Sequence, residues 1–312
     1  MADKDLDKVK LDKDVSQKQE VKELSPKDLE KTENYGAKMR KLPFTLLKYA
    51  ILILTVLIIM LPLVVVFLGS FKGHEEFLTS GVFTLPQSLN FDNYMKAFID
   101  GKMALGFFNT AIILLVSIVA TVLTGTMTAY VINRFKFPGR GLINNLFLIA
   151  SLIPSITMQM SVFQIINKMG LFNTRWSTIL LFAGTDIISI YIFLQFLENI
   201  SYSLDESAIM DGASYFMVYW KIILPLLKPA IVTVVIIKGV GFYNEFYTPY
   251  LYMPSSDLAV ISTALYKFTG PYGSQWEIIC AGIIITLLPT LIIFLLLQKQ
   301  IYAGMTQGSV KE

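Results

Sequence analysis

The chain is poor in the residues that do chemistry. It holds one cysteine, Cys280, and one histidine, His74, in 312 residues. A single cysteine excludes an intrachain disulfide, and the apolar run around Cys280 marks it as a small buried hydrophobe. A single histidine excludes the H-E-x-x-H zinc motif, and a catalytic triad cannot be built from one histidine outside the apolar runs. His74 stands beside Glu75 and Glu76 and is read as solvated rather than metal-bound. No Cys/His cluster has metal-ligand spacing, and no G-x4-G-K-[ST] phosphate loop occurs, so the chain does not bind ATP in that way. No catalytic residue, metal site or cofactor is therefore assigned. Charge is scarce as well: 16% of residues are charged and 54% hydrophobic, a combination that soluble domains rarely show. The net charge of +3 gives no reason to expect nucleic acid.

What charge there is clusters. About half of residues 1–41 are Lys, Arg, Asp or Glu, nearly balanced in sign, the composition of a solvated, disordered arm. Its role, docking tail or plain solvated arm, stays open. Residues 42–312 form the second region. Six stretches there have the roughly 20 apolar residues a bilayer core requires: Phe44–Leu68, Phe107–Ile132, Leu142–Phe163, Thr178–Leu197, Pro229–Tyr247 and Ile278–Leu297. The first is too long for a signal-peptide core and is read as a retained span. Pro154 and Pro289 fall inside the third and sixth, where neighbouring helices can re-satisfy the freed backbone. The chain is thus expected to be an all-α membrane protein with six transmembrane helices.

Lys38, Arg40 and Lys41 precede the first span, and Arg134, Lys136 and Arg140 lie between the second and third. Basic residues favour the cytoplasmic side. Both termini, and the segment 198–228 between spans four and five, are therefore expected in the cytoplasm.

That segment is the informative one. Ser203 followed by Glu206 reads as a capping box that starts a helix at Leu204. Asp205 and Glu206 suit its positive end, and Gly212 ends or bends it. Residues 213–223 form a second helical stretch with Phe216, Trp220 and Ile223 near one face, which Leu224-Pro225 stops. The result is a helix–bend–helix at the membrane surface, either a partner-docking element or an ordinary amphipathic connector.

The residues of this loop resemble the "EAA" loop of binding-protein-dependent ABC importer permeases. That pattern is E-A-A-x3-G followed about ten residues later by I-x-L-P. Here it reads Glu206-Ser207-Ala208, Gly212, then Ile222, Leu224 and Pro225, with Ser207 in place of the first alanine. The resemblance extends over about residues 45–310 and points to the carbohydrate branch, in particular the second subunit of maltose-type importers. Phe108-Asn109-Thr110, Arg134 to Arg140, Leu224 to Pro229, Tyr243 to Phe246 and Gly304 to Gly308 carry it further. The family usually has Trp where Tyr243 stands. It implies a type I ABC importer permease fold in a bacterial cell membrane. It also implies a second permease subunit, an ATPase dimer that carries ATP and Mg, and an extracytoplasmic sugar-binding protein as partners. Glu206, Ser207, Ala208, Asp211, Gly212, Leu224 and Pro225 would then couple the chain to the ATPase.

Asp186, Lys238 and Glu245 fall inside the expected spans, where ionisable groups are costly and usually functional. Asp186 and Lys238 both lie about nine residues in, roughly 13 Å deep. They either pair architecturally or line the substrate path, and an unpaired Lys238 would favour an acidic sugar. Asn244 and Glu245, nearer the outer end, either contact sugar hydroxyls or cap the gate. The outer loop Pro249–Trp276 carries Gly270, Tyr272 and Trp276. In similar permeases this loop enters the binding protein, although membrane-interface belts and turns use the same residues. Two other classes stand against the importer. A stand-alone secondary transporter would show internal halves and discontinuous helices, and a membrane-embedded enzyme would show clustered acids or histidines.

Overall fold

The computed structural model describes residues 26–184, 186–270 and 274–307. Most described residues are helical. The chain divides into two compact units, Met1–Val64 and Val65–Glu312. The first is chiefly α1 (Pro26–Gly69), whose apolar side chains from Phe44 to Val64 are largely exposed. The boundary expected near residue 41 does not interrupt this helix, which already begins at Pro26. The rest of the charged arm, residues 1–25, lies outside the described residues.

The second unit is organised around α4 (Met103–Arg134), which starts four residues before the expected span and ends just ahead of the Phe137-Pro138-Gly139 turn. Small residues let neighbours approach it closely. A Cβ on Gly125 would come within 3.0 Å of the Phe193 ring, so α8 (Ile187–Glu198) packs directly on this face. Helix α14 (Trp276–Gln307) contains Pro289 without a break. A Cβ on its Gly282 would come within 2.2 Å of a Leu265 methyl, so a larger residue there would require that side chain to move. Cys280 is buried, as its apolar surroundings required.

Two expected spans have a different shape. The third breaks into α5 (Arg140–Leu152) and α6 (Ser155–Lys168), bent by 105°. Pro154 is the cause. It lacks an N–H and forces Ile153 into an extended conformation (ψ 120°), where no helix can continue. In the fourth, α7 (Arg175–Ala183) ends at Gly184 and α8 starts after Asp186, both of which are non-helical. Among the described residues four helices are long and apolar enough to cross a membrane, counting Arg175–Glu198 as one. The number rises to six if each of two bent pairs is a single span.

The connecting elements anchor this bundle. Helix α2 (His74–Thr79) brings His74 Nδ1 within 3.1 Å of Glu277 Oε1, a carboxylate whose side chain is buried. His74 is therefore partnered rather than merely solvated. Helix α3 (Asp92–Asp100) supplies Asn93, which donates to the carbonyls of Ser70 and Lys72. Lys72 is itself buried, its ammonium donating to Ser80, Gly81 and Thr84 oxygens at 2.8–2.9 Å.

Candidate functional site

Helix α9 (Ser203–Met210) follows α8 after a short turn. The capping box expected at Ser203 is not formed. Tyr202 is the N-cap, while Ser203 Oγ pairs with Ser201 Oγ at 2.8 Å, because Ser201 lies close enough to compete for it. The C-terminal end is as expected and more fully built. Gly212 adopts φ +87°. Its N–H donates to Ile209 O, and the Ala213 N–H donates to Ala208 O, both at 2.9 Å. These two bonds satisfy carbonyls that the helix end would otherwise orphan, a Schellman closure that requires a left-handed residue. Ser214 then caps the next helix by accepting from Met217 N–H.

That helix, α10, runs from Tyr215 to Leu226 with a π-helical turn at Tyr219–Ile223. Leu224-Pro225 does not stop it. The wide turn places Pro225 in the first turn of the following segment, where the missing N–H costs little. The chain bends instead at Leu227, by 70°, into α11 (Lys228–Asn244).

The loop has two faces. Val218, Tyr219, Ile223 and Leu227 are buried with Ala129, Tyr130, Phe193, Leu197, Ala230 and Val234, so α10 is fused to α4, α8 and α11. Tyr219 Oη and Thr126 Oγ1 share a hydrogen bond of 2.8 Å within this core. Glu206, Ser207, Asp211 and Gly212 are exposed and Ala208 half-buried. Met210, Phe216 and Trp220 surround them, Met210 being 87% exposed, with Phe216 and Trp220 in edge-on ring contact. The exposed Glu206 carboxylate is thus rimmed by apolar side chains. Of the three residues assigned to one face of the second stretch, Ile223 turns inward and the other two outward. Leu224 is half-buried and Pro225 exposed.

What holds α9 from behind has no local signature in the chain. Asp205 is only 2% exposed. Its Oδ2 lies 3.3 Å from Arg134 Nε, both side chains being buried, and Tyr130 Oη donates to its Oδ1 at 3.3 Å. The ion pair is one of charge rather than an aligned hydrogen bond, since Arg134 Nε and Asp205 Oδ2 have no hydrogen-bond partner. The guanidinium is oriented by bonds from Nη2 to Ile200 O and from Nη1 to Asn133 Oδ1, both 2.9 Å. It also stacks over the Tyr202 ring. Arg134 thus ties the last turn of α4 to the first turn of α9.

Inside the bundle, Lys238 Nζ lies 2.8 Å from Asp186 Oδ2, the side chains 20% and 13% exposed. The two residues singled out for their depth do meet. Asp186 is the N-cap of α8, and Ser189 Oγ donates to the same carboxylate oxygen. The carboxylate is thus engaged by Ser189 and Lys238 and makes no bond to the backbone N–H groups of α8. Asn244 and Glu245 do not join this pair. Glu245 lies beyond the end of α11, where its carboxylate accepts from Thr248 N–H and Oγ1 at the start of α12 (Tyr247–Tyr252). Asn244 is exposed and donates to Val240 O. Replacing Asp186 by Ala leaves a lysine unpaired in the bundle. Thermal stability in detergent is expected to fall, by the equivalent of about 3–5 kcal/mol. Exchanging the two charges should recover part of it, and no recovery would argue against pairing as their role.

The opposite end of α4 holds the loop Pro249–Trp276. Asn109 Nδ2 donates to the Asp257 and Ala259 carbonyls, and its Oδ1 accepts from Arg175 Nε. Thr110 Oγ1 accepts from Ile261 N–H, at the start of α13 (Ile261–Ala264). Lys102 Nζ meets Asp257 Oδ1 at 2.8 Å. The Lys102 hydrogen bond and charge hold the Asp257 carboxyl below its ordinary range, so this exposed bridge is intact at neutral pH and weakens only in acid. Gly270 and Trp276 are exposed, and Tyr272 lies outside the described residues.

Residues 121–307 match the family described as binding-protein-dependent transport system inner membrane component. A permease protein of a diacetylchitobiose uptake system from Streptomyces coelicolor is 29% identical, covering 86% of this chain and 89% of its own length. A probable permease for starch degradation products from Thermoanaerobacterium thermosulfurigenes is 31% identical, covering 80% and 91%. Among solved structures, a bacterial ABC transporter that imports the acidic polysaccharide alginate superposes with a TM-score of 0.74. It is 20% identical and covers 83% of this chain and 97% of that one.

Proposed function

Since the chain belongs to the family of binding-protein-dependent transport inner membrane components, we propose that it is one permease half of an ATP-driven importer of neutral oligosaccharides. The family makes it a multi-pass transport subunit. The saccharide class follows the relatives, whose substrates are diacetylchitobiose and starch fragments. Neutrality follows from Lys238, which is paired with Asp186 and so is not available to select an anionic sugar.

The observation that carries the reading is the two-faced loop: Glu206 exposed on α9, with Asp205 beneath it locked to Arg134. In the cytoplasm, α9 would seat in a groove of a separate ATPase dimer, which holds ATP and Mg. Closure of that dimer displaces α9. The displacement passes through Arg134 into α4 and through the Val218–Tyr219–Ile223 core into α8 and α11. A second permease subunit completes the pathway, and the loop bearing Gly270, Tyr272 and Trp276 meets the extracytoplasmic binding protein. Work is delivered as movement of a rigid element between two states.

The buried pair of Asp186 and Lys238 favours one other reading, a gradient-driven transporter with an ion pair at its centre. Proteoliposomes separate the two. Oligosaccharide uptake should require lumenal ATP together with the ATPase, second permease and binding protein, and should survive ionophores that collapse ion gradients. Uptake by this chain alone, driven by an ion gradient, would establish the other reading.

A further inference from the structure

A cavity of about 590 Å³ opens at the Lys102 end of α4, within the 300–1,000 Å³ range typical of small-ligand sites. Helix α4 is 32 residues long, so this cavity lies roughly 48 Å from the Arg134 end that carries α9. Its wall includes Tyr250, Tyr266, Ser256, Thr263, Lys102 and Lys267. The two tyrosines are about half exposed and lie 4.9 Å apart, edge to face. Phe246 stacks on Tyr250 from one side, at 5.3 Å and 16°, which fixes the Tyr250 plane. Lys102 has φ +48°, a left-handed conformation costly for a side-chain-bearing residue. The strained backbone is held in place by the bridge to Asp257.

Aromatic faces beside hydroxyls and ammonium donors have a particular complement: a ring with an apolar C–H face and an equator of hydroxyls. We propose that this cavity is a saccharide subsite at the outer mouth of the pathway, stacking one sugar ring of a neutral oligosaccharide against Tyr250 and Tyr266. Ser256, Thr263 and Lys267 then hydrogen-bond its hydroxyls. The site receives the chain as the binding protein releases it, and it favours longer oligomers because a second ring can reach it while the first enters the bundle. This inference rests on the oligosaccharide-importer reading.

The test uses the complete transporter, with its partner subunits and binding protein, in proteoliposomes. The probes are malto-, arabino- and galacto-oligosaccharides of two to five units. For the series that is taken up, the double variant Tyr250→Ala/Tyr266→Ala should raise the half-saturating concentration of tri- to pentasaccharides about tenfold. Disaccharide uptake should change far less, and Tyr250→Phe/Tyr266→Phe should behave as the parent. A second variant decides the matter should the alanine pair fail to assemble. With Cys280 buried, Ser256→Cys can be labelled with a bulky maleimide, which should block uptake of the longer sugars. Unchanged half-saturation at every length, or full uptake after labelling, overturns the subsite alone. Absence of uptake of these three series and of chito-oligosaccharides by the parent transporter overturns the importer reading as well.

Discussion

Replacing Glu206 by Lys, or Gly212 by Val, is expected to abolish ATP-driven uptake while the protein still reaches the membrane. The two changes act differently. Glu206 is exposed, so its reversal alters the charge offered to a partner and leaves the internal packing intact. Gly212 has φ +87° and nothing within 4 Å of where a Cβ would stand. The cost there is therefore backbone strain alone, roughly 1–2 kcal/mol or somewhat more for a β-branched residue. That is too little to unfold a domain, yet it disfavours the left-handed turn on which the bonds from Gly212 and Ala213 that close α9 depend, so a chain that relieves the strain re-aims the helix. Immunoblots of membranes and co-purification of the ATPase are the measurements: normal abundance, lost ATPase, lost uptake. Uptake at the parental rate in either variant would contradict the role given to α9.

The second large effect is expected at Asp205. Its replacement by Ala leaves Arg134 buried without a counter-charge, which costs about 3–5 kcal/mol. Thermal unfolding in detergent should shift accordingly. The functional signature is more specific: ATP hydrolysis should continue in assembled complexes while sugar moved per ATP falls, because the link from α9 to α4 is cut. Swapping the pair, Arg134→Asp with Asp205→Arg, should restore part of that ratio. Tyr130→Phe, which removes only a 3.3 Å bond, should cost much less. If Asp205→Ala kept both stability and the transport-to-hydrolysis ratio, Arg134 would be a bystander.

These predictions separate what the sequence could disclose from what it could not. Hydropathy located the apolar segments, since a bilayer leaves a period-independent signature, and Met103–Arg134 differs from the expected Phe107–Ile132 only at its ends. Gly212 was legible because only glycine takes that turn without strain. The ion pair of Arg134 and Asp205 was not. Arg134 looked like a topology marker and Asp205 like a dipole complement, and residues so far apart in sequence show no local sign of meeting. The helical break at Pro154 was misjudged because sequence does not say whether a neighbour will rescue the orphaned backbone. Asp186 and Lys238 were found by their cost in an apolar run. Glu245 was placed inside a span because hydropathy blurs helix ends by a few residues.

The π-helical turn at Tyr219–Ile223 carries one more implication. Residues five apart on an ordinary α-helix point about 140° away from each other, yet Val218 and Ile223 are both fully buried. The extra residue in the turn brings these two side chains back into phase. The orientation of α10 relative to α11 is therefore set by a count of residues more than by their identity. A chain one residue shorter here would keep every motif and still point its lever at the wrong angle.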